Sequence, residues 1–414
     1  MKRKLLTGNC AAAWGARLAG AEYVPAFPIT PQTEIIETLA QWIDCGEMDC
    51  RMTTLESEHS MLTAAGAAAV TGVRVFSATS SQGLLYGMEM LYTVAGWRAP
   101  FVLVNVSRGL SAPITLEPDH NDILAARDSG FLQIHCATCQ EVLDSILIAY
   151  RLAEHQSVRL PVIVNMDGFS LSFTREPVEL PDTEAVRRFL PGYDAENIRF
   201  RAGAPLSEGV AVLGGTLYSY FRYEMHLACL NGLAVFGEIT EDFAVVFGRR
   251  YRDVEGYRTD DAELVFVMMG SFATKAKAAV DQLRETGVAI GLVRPILLRP
   301  FPRDRIRSML AGKKGVAVID QNLSLGRGGI LHTEITSALY GTGGSLPIIV
   351  SFIGGLGGRD IGAEEFYEMA KVTAQSVSAG HAPPPRLLLT SEELAEVKRM
   401  QEIAGLNGKA RNKP

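Results

Sequence analysis

The sequence predicts an α/β protein with two successive parallel-sheet units. Segments typical of strands alternate with segments typical of helices through the first unit, a pattern that implies a parallel sheet with helices on both faces. The alternation stops in a stretch rich in charge and proline and resumes near residue 262. We therefore expect a first unit at 1–175, a connector with helices at 176–260, a second unit at 261–378 and a tail at 379–414.

The strand segments of the first unit are short, apolar and rich in β-branched residues, whereas the helical segments are longer. The predicted strands are EYVPAF, RMTTLE, VRVFSAT, FVLVNV, GFLQIHC and LPVIVNMD. The predicted helices are TPQTEIIETLAQWID, SEHSMLTAAGAAAVTG, GLLYGMEMLYTVAGW and CQEVLDSILIAYRLAEH. The second of these helices is built from small residues, which suits close packing against either a neighbouring element or a second subunit.

Residues 216–251 offer one or two helices before the second unit begins. The alternation then continues through AELVFVMMGS, TKAKAAVDQLRETG, VAIGLVRPILLRPFP, RDRIRSMLAGK, KGVAVIDQN, GILHTEITSALYG and PIIVSFIGG. The tail has one short predicted helix, SEELAEVKRMQEIAG, after which the chain is expected to fray.

Composition and charge exclude several classes of protein. Of 414 residues, 47% are hydrophobic and 21% are charged, which is typical of a globular chain with a large core. The formal net charge of −6 argues against nucleic acid or an anionic membrane as the main partner. The longest uncharged stretch, residues 335–358, contains seven glycines and one proline, so it is not a membrane span. No signal peptide is evident, and we expect a cytoplasmic protein.

Six cysteines are scattered along the chain, and without export they are expected to be reduced thiols. Only Cys136 and Cys139, in CATC, have the spacing of a ligand pair, and the second pair that a zinc or iron–sulfur site needs is missing. CATC joins a predicted strand to a predicted helix, so we favour a structural role over a redox or metal role. We predict no metal site in this chain.

The polar turns that follow the predicted strands are the best candidates for a site. In a parallel α/β sheet, ligands bind beyond the carboxyl ends of the strands. The first such turn, FPITPQT, has two prolines that fix the backbone and can hold Thr30 in place. The other three turns are LESEHS, ATSSQG and NVSRGLSAP, which place Glu58, Ser81, Gln82 and Arg108 at the same edge of the sheet.

The usual signatures of nucleotide and hydrolase sites do not occur. The sequence has no phosphate-binding G-x-x-x-x-G-K-[ST] loop, no H-E-x-x-H and no G-x-S-x-G. The glycine-rich FIGGLGGRD follows a predicted strand but lacks the G-x-G-x-x-G spacing of a dinucleotide-binding turn.

Many separate stretches resemble, in the same order, the α subunit of the 2-oxoacid:ferredoxin oxidoreductases, the pyruvate synthase family. The first unit contributes GNCAAAWGARLAGAEYVPAFPITPQTEIIE, ESEHSMLTAAGAAAVTG, TSSQGL, SRGLSAP, DHND, RDSGFLQIHC and LPVIVNMDGFSLSFTREPVEL. The second contributes MGSFATKAKAAVDQLRETGVAIGLVRPILLRPFP, VAVIDQN and FIGGLGGRD. The resemblance spans about residues 5–375, and it implies a pyrimidine-type thiamine diphosphate-binding domain followed by a domain like the transketolase C-terminal domain.

The resemblance also assigns roles to individual residues. Glu58 stands where the family has the glutamate that hydrogen-bonds N1′ of the aminopyrimidine, an interaction that favours the imino tautomer needed to deprotonate the thiazolium. Thr30 and Arg108 stand where the family contacts the 2-oxo acid, and Arg can fork onto its carboxylate. Further cofactor contacts are expected from Pro28, Ile29, Ser81 and Gln82.

Two departures from the family pattern carry expectations. Many pyruvate enzymes have Tyr at the position of Phe27, so the substrate is either pyruvate or a larger or aromatic 2-oxo acid such as phenylglyoxylate. The G-D-G…N motif that holds the diphosphate through Mg²⁺ is missing, and MDGFS is the nearest string. The resemblance therefore implies a β subunit that supplies the diphosphate and Mg²⁺ contacts.

The predicted function is the α subunit of an enzyme that oxidatively decarboxylates a 2-oxo acid with coenzyme A. The resemblance implies γ and δ (ferredoxin-like) partner subunits that hold the iron–sulfur clusters, with ferredoxin or NAD as the acceptor. The alternative is a non-catalytic scaffold subunit of such a complex. A carboligase like transketolase would use the same thiamine site, but it is not expected to match DGFSLSFTREPVEL and GGLGGRD.

Overall fold

The computed structural model describes residues 2–193, 195, 200–207, 209–341 and 345–403. The strands are β1 (Lys2–Thr7), β2 (Tyr23–Ala26), β3 (Arg51–Thr54), β4 (Phe76–Thr79), β5 (Val102–Ser107), β6 (Leu132–His135), β7 (Val162–Asp167), β8 (Arg175–Leu180), β9 (Val254–Tyr257), β10 (Leu264–Val267), β11 (Ile290–Pro295), β12 (Leu297–Arg299), β13 (Gly315–Asp320), β14 (Ile348–Ile353) and β15 (Arg386–Leu387). The helices are α1 (Gly8–Leu18), α2 (Thr33–Asp44), α3 (Glu58–Ala69), α4 (Gln82–Tyr86), α5 (Met88–Gly96), α6 (Asn121–Ala125), α7 (Cys139–Ala153), α8 (Thr183–Phe189), α9 (Gly215–Phe247), α10 (Ala273–Glu285), α11 (Arg303–Leu310), α12 (Ile330–Leu339), α13 (Ala363–Ala379) and α14 (Ser391–Ile403).

The first sheet is parallel, as the alternating sequence predicts. Strands β4, β5, β7 and β6 pair in that order and in parallel, and a single parallel bridge from Tyr23 to Val75 joins the β2–β3 pair to the β4 edge. All six side chains of β5 are buried, as are all six of β7, which is expected for strands covered on both faces. The carboxyl ends of these strands therefore meet at one edge.

The second sheet has the order β15–β14–β13–β10–β11–β9, in which only β9 runs antiparallel to its neighbour. The short strand β12 leaves this unit and pairs antiparallel with β6, at the far edge of the first sheet. The segment 288–302, which reads as one strand in the sequence, is thus two strands that belong to different sheets.

The two units are joined by buried charges. Arg294, 2% exposed, donates two hydrogen bonds to the carboxylate of Glu141 on α7, at 2.9 and 2.7 Å, and one to Glu255 on β9. The buried arginine fixes the approach of the units, because moving them apart would take Arg294 away from Glu141 and cost a buried, charge-assisted contact.

Two features differ from the sequence-based prediction. The predicted helix at 83–97 is two helices, which meet at Gly87, where the main chain packs so closely on Leu62 that an added Cβ would lie 2.2 Å from its Cδ1. The pair β1–β8 and the helices α1 and α13 were not predicted. Of the one or two helices predicted within 216–251 the structure has one, α9, which is capped by Gly248 with φ +76°.

The tail helix is confirmed as α14, and Arg359 holds it through a double hydrogen bond to Glu393 at 2.7 Å each. The predicted fraying concerns residues 404–414, which lie outside the described residues. The division into 1–175, 176–260, 261–378 and 379–414 stays a prediction. No helix in the described part of the chain is long and apolar enough to cross a membrane.

Candidate active site

The turn after β2 and the loop after β5 meet at the carboxyl edge of the first sheet. Arg108, 7% exposed, donates from Nη1 to the main-chain oxygen of Thr30 at 2.7 Å and from Nη2 to Oε1 of Gln82 at 2.8 Å. Its Nε is buried and has no hydrogen-bond partner among the described residues. Burial lowers the pKa of the guanidinium, and the charge of Asp122 opposes that shift. Arg108 therefore spans two of the predicted turns.

Ser81 and Gln82 form the turn between β4 and α4. The hydroxyl of Ser81 lies 2.7 Å from Oε1 of Gln82 and 2.9 Å from the main-chain oxygen of Gly109. Ser81 has φ 52° and ψ −123°, a conformation that costs a residue other than glycine about 1–3 kcal/mol. Strain of this kind persists only where the surroundings enforce it, and it concentrates at functional sites.

Glu58 is the first residue of α3. The N-cap Ser57 accepts a hydrogen bond from the N–H of Ser60, which starts the helix at this point. Glu56, just outside the helix, bonds the hydroxyl of Ser60 and stays exposed, so the two glutamates diverge. Only Glu58 faces inward.

Glu58 is 5% exposed as a residue, and among the described residues no group donates a hydrogen bond to its carboxylate, whose oxygens are not among the fully buried atoms that lack a partner. At Gly83 an added Cβ would lie 2.3 Å from Glu58 Oε1 and 2.7 Å from Oγ1 of Thr79, which itself lacks a partner in the described part of the chain. A carboxylate that is accessible and has no protein donor can accept a hydrogen bond from a ligand. The site thus fits a ligand that presents a ring nitrogen to Glu58, as the aminopyrimidine of thiamine diphosphate does.

Two side chains hold the main chain of the first predicted turn by hydrogen bonds. Asn9 of α1 donates from Nδ2 to the main-chain oxygen of Pro31 at 3.0 Å, and Gln32 donates to the main-chain oxygen of Phe27 at 2.9 Å. Pro28 and Thr30 are exposed, whereas Phe27 and Ile29 are half-buried. The turn therefore presents Pro28 and Thr30 outward from a fixed base.

The structure brings together Thr30, Ser81, Gln82 and Arg108 by direct hydrogen bonds. Glu58 lies beside them, next to Gly83, the neighbour of Gln82. Pro28 and Ile29 belong to the same turn as Thr30, but within the described part of the chain no hydrogen bond ties them to Glu58, Ser81, Gln82 or Arg108. The assignment of these seven residues to catalysis and cofactor binding stays a proposal.

Sequence reasoning missed Asp122, which organises the site from beneath. Its carboxylate is fully buried and accepts hydrogen bonds from the N–H groups of Ser81 at 3.0 Å and Arg108 at 3.2 Å. It also accepts from Asn105 and Ser107 of β5. Burial raises the pKa of this carboxyl, and the hydrogen bonds oppose the rise. One carboxylate thus ties the ends of β4 and β5, and the DHND string is the only sequence signal of it.

Cys136 and Cys139 are buried, and burial raises the pKa of both thiols. Such thiols stay protonated and are weak nucleophiles, which agrees with a structural role for CATC. Within the described residues, no group of three or more His, Cys, Asp or Glu side chains could hold a metal ion.

Comparison with known proteins points to one family. Residues 14–228 match the family described as pyruvate flavodoxin/ferredoxin oxidoreductase, thiamine diP-bdg, and residues 262–366 match pyruvate:ferredoxin oxidoreductase core domain II. The chain is 38% identical to pyruvate synthase subunit PorA of Pyrococcus abyssi, over 92% of this chain and 96% of the relative. It is 40% identical to PorA of Methanothermobacter thermautotrophicus, over 90% and 96%, and 39% identical to ketoisovalerate oxidoreductase subunit VorA of Pyrococcus horikoshii, over 91% and 95%.

Solved structures share the fold. The 2-oxoglutarate:ferredoxin oxidoreductase from Magnetococcus marinus, determined with 2-oxoglutarate, coenzyme A and succinyl-CoA bound, gives a TM-score of 0.70 at 20% identity. The match covers 91% of this chain and 65% of that one, so this chain spans slightly less than two thirds of that neighbour. A split-gene transketolase gives a TM-score of 0.52 at 11% identity, over 88% and 97%. At these identities the likeness concerns the fold alone.

Proposed function

This chain belongs to the family of α subunits of 2-oxoacid:ferredoxin oxidoreductases, and from that membership we propose the roles of its own residues in the oxidative decarboxylation of a 2-oxo acid. One observation carries the proposal. A buried, forked arginine just after β5 bonds Gln82, and the next residue, Gly83, packs against a buried glutamate that takes no hydrogen bond from the described residues. These are the two groups that a 2-oxo acid carboxylate and an aminopyrimidine require.

Arg108 binds the carboxylate of the 2-oxo acid. Two of its donors hold Thr30 and Gln82, which fixes the plane of the guanidinium, and its third nitrogen is unpaired in the described part of the chain. The Thr30 side chain is exposed at the same edge and adds a hydroxyl donor for the ketone end. A fixed fork orients the substrate at little entropic cost, because the arginine is already ordered.

Glu58 holds a proton between its carboxylate and the ring nitrogen of the bound cofactor. Thiamine diphosphate supplies the nucleophilic carbon when it is bound. Because Gly83 has no side chain, the Glu58 carboxylate can pack directly against the main chain of α4. Gln82, the residue before Gly83, bonds both Ser81 and Arg108. Because Glu58 is only 5% exposed as a residue, a ring nitrogen bound at its carboxylate would lie in surroundings with little bulk water, where a hydrogen bond is stronger than at the surface.

The diphosphate and Mg²⁺ are held by a β subunit, since this chain lacks the G-D-G…N motif. Further γ and δ subunits carry the iron–sulfur clusters and pass the electrons on, and coenzyme A accepts the acyl group. Support for a multi-subunit assembly comes from the relatives, which are themselves named as subunits.

The test is a substrate panel on the assembled complex. Pyruvate, 2-oxoglutarate, 2-oxoisovalerate and phenylglyoxylate are each offered with coenzyme A, and ferredoxin, viologen and NAD are compared as acceptors. We expect turnover of at least one acid that depends on thiamine diphosphate. No turnover of any acid by a fully assembled, cofactor-loaded complex would favour the non-catalytic scaffold.

A further inference from the structure

The two ends of the loop that follows Arg108 are joined by a main-chain hydrogen bond. The N–H of Gly109 donates to the main-chain oxygen of Glu117 at 3.0 Å, so the loop 109–117 returns to the end of β5, next to Arg108. Two apolar residues of the loop, Ile114 and Leu116, are exposed at 77% and 48%. Gln82 bonds Ser111 in the loop at 2.9 Å, and the closing end is held by what lies beside Glu117.

A glycine turn of the second unit lies against the closing end of this loop. The N–H of Gly358 donates to the main-chain oxygen of Pro118 at 2.7 Å, and the N–H of Gly357 lies 3.4 Å from Oδ2 of Asp119. The turn follows β14 and is the GGLGG string that the proposed chemistry leaves without a role. Gly357 and Gly358 have φ +57° and +76°, a region that glycine adopts without strain.

The two glycines differ in what surrounds them. At Gly358 an added Cβ would lie 2.5 Å from Cβ of Glu117 and 2.9 Å from its Oε2. At Gly357 the nearest atom to an added Cβ is Oγ1 of Thr115, at 4.0 Å. Because the Cβ of Glu117 is fixed to the main chain, a side chain at 358 would displace the loop itself, whereas a side chain at 357 would not.

The loop is also held at its far end by the second unit. The N–H of His120 donates to the main-chain oxygen of Gln321 at 2.8 Å, and Asn121 accepts from the N–H of Leu323 at 3.1 Å. The near end is linked to Glu117 by the hydrogen bond from the N–H of Gly109, the residue directly after Arg108. A displacement at Glu117 would therefore pull on Gly109 and work against the bonds that hold Arg108 to Asp122, Thr30 and Gln82.

We propose that Gly358 is a positioning residue for the 2-oxo acid: its contact with Glu117 sets the place of Arg108, so the second unit controls substrate affinity. The inference rests on the proposed function, in which Arg108 binds the carboxylate. It predicts an effect on the binding of the 2-oxo acid and none on the proton at Glu58, which lies on α3 and has no hydrogen bond to the loop among the described residues.

The test compares Gly358→Ala with Gly357→Ala in the assembled complex. Both variants place alanine at a positive φ, so they share the backbone strain and differ in the clash with Glu117. We expect Gly358→Ala to raise KM for the 2-oxo acid by roughly 10-fold or more, since small misplacements of a binding group are costly. Gly357→Ala should keep KM close to the wild-type value. Exchange of the thiamine C2 proton without 2-oxo acid should be unchanged in both.

A second set of variants changes the other partner of the Gly358–Glu117 contact. Glu117→Gly in the Gly358→Ala background removes the opposing Cβ, and we expect KM to recover although the strain at 358 remains. If Gly358→Ala does not assemble, Glu117→Gly alone should raise KM by removing the contact, and Glu117→Gln, which keeps the stem, should not. Equal KM values in the two glycine variants, or no recovery in the double variant, would overturn the positioning role.

The two proposals fail in different ways. A wild-type complex that turns over no 2-oxo acid overturns the proposed function. An active Gly358→Ala complex with an unchanged KM overturns only the role of the second unit.

Discussion

Arg108 donates a hydrogen bond from Nη1 to the main-chain oxygen of Thr30 at 2.7 Å. The bond joins two turns that are 78 residues apart in the chain, and it places the guanidinium next to the exposed Thr30 side chain. Since the partner is the carbonyl of Thr30, the hydroxyl remains available to a ligand. The planar fork of Arg108 is therefore needed to bond Thr30 and Gln82 at the same time.

Arg108→Lys should weaken the use of every 2-oxo acid. A lysine ammonium is a point charge and cannot bond Thr30 and Gln82 while also offering a planar fork. We expect kcat/KM to fall by an amount equivalent to a loss of about 1.5–3 kcal/mol in transition-state stabilisation, the scale of one charge-assisted hydrogen bond. Steady-state kinetics with two different 2-oxo acids check this, and Arg3→Lys, in an exposed pair with Glu179, is the control. A loss confined to one acid would contradict a role at the shared carboxylate.

Glu58→Gln should slow the enzyme with little change in shape. The amide is of similar size but cannot share a proton with the ring nitrogen, so we expect turnover to fall by about 10²-fold or more. Exchange of the thiamine C2 proton, followed by NMR in the assembled complex, should slow in parallel. Unchanged exchange would show that Glu58 does not act on the cofactor.

The positions of Glu58 and Arg108 could be predicted because each follows a predicted strand, RMTTLE for Glu58 and FVLVNV for Arg108. The carboxyl ends of parallel strands meet at one edge, so polar residues in these turns converge whatever the details of packing. The resemblance to a known family then gave those residues their roles.

Asp122 could not be predicted in this way. It lies 14 residues beyond Arg108 on a helix of five residues, and its five hydrogen bonds form only when two strand ends and a loop meet. The pairing of β1 with β8 is similar, since consecutive charged residues hide the strand pattern in KRKLLT and REPVEL and the partners lie more than 160 residues apart in the chain. The break at Gly87 depends on the close approach of Leu62, which no local pattern records.

The chain alone should not bind thiamine diphosphate. Glu58, Ser81 and Gln82 address only the aminopyrimidine end, and the motif for the diphosphate and Mg²⁺ is missing from the sequence. We expect no heat of binding when the purified full chain is titrated with the cofactor and Mg²⁺ in a calorimeter, and clear binding by the assembled complex. Micromolar binding by the chain alone would place the diphosphate contacts in this subunit.

His120→Gln should destabilise the chain more at low than at high pH. Nε2 of His120 lies 2.7 Å from Asp167, whose other oxygen accepts from the N–H and hydroxyl of Ser271 in the second unit. Burial lowers the pKa of His120, but Asp167, with Asp122 and Asp119, more than offsets this, so the pKa is raised. The stabilisation is therefore full below the unfolded pKa of about 6.5 and is lost as the pH rises through the folded pKa.

Thermal unfolding of the full chain near pH 6 and near pH 9 measures this difference. The variant should lose more in Tm at the lower pH. His332→Gln is the matched control, because burial lowers the pKa of His332 and its pH trend should have the opposite sign. An equal loss of Tm for His120→Gln at both pH values would mean that the charged pair does not stabilise the domain contact.

Phe27→Tyr should shift the choice of substrate. Phe27 is half-buried and its ring packs on the core, while its main-chain oxygen accepts a hydrogen bond from the Gln32 side chain, which holds this residue at the base of the first turn. A phenol in its place adds a hydroxyl that a small, polar substrate can use and an aromatic one cannot. We expect the ratio of kcat/KM between pyruvate and phenylglyoxylate to move towards pyruvate by about 1–3 kcal/mol, the scale of one pocket contact.

Kinetics of both acids on the assembled complex measure this ratio, and Phe173→Tyr, at an exposed aromatic residue, is the control. If the ratio is the same before and after the change, Phe27 does not line the substrate pocket, and an aromatic 2-oxo acid loses its support.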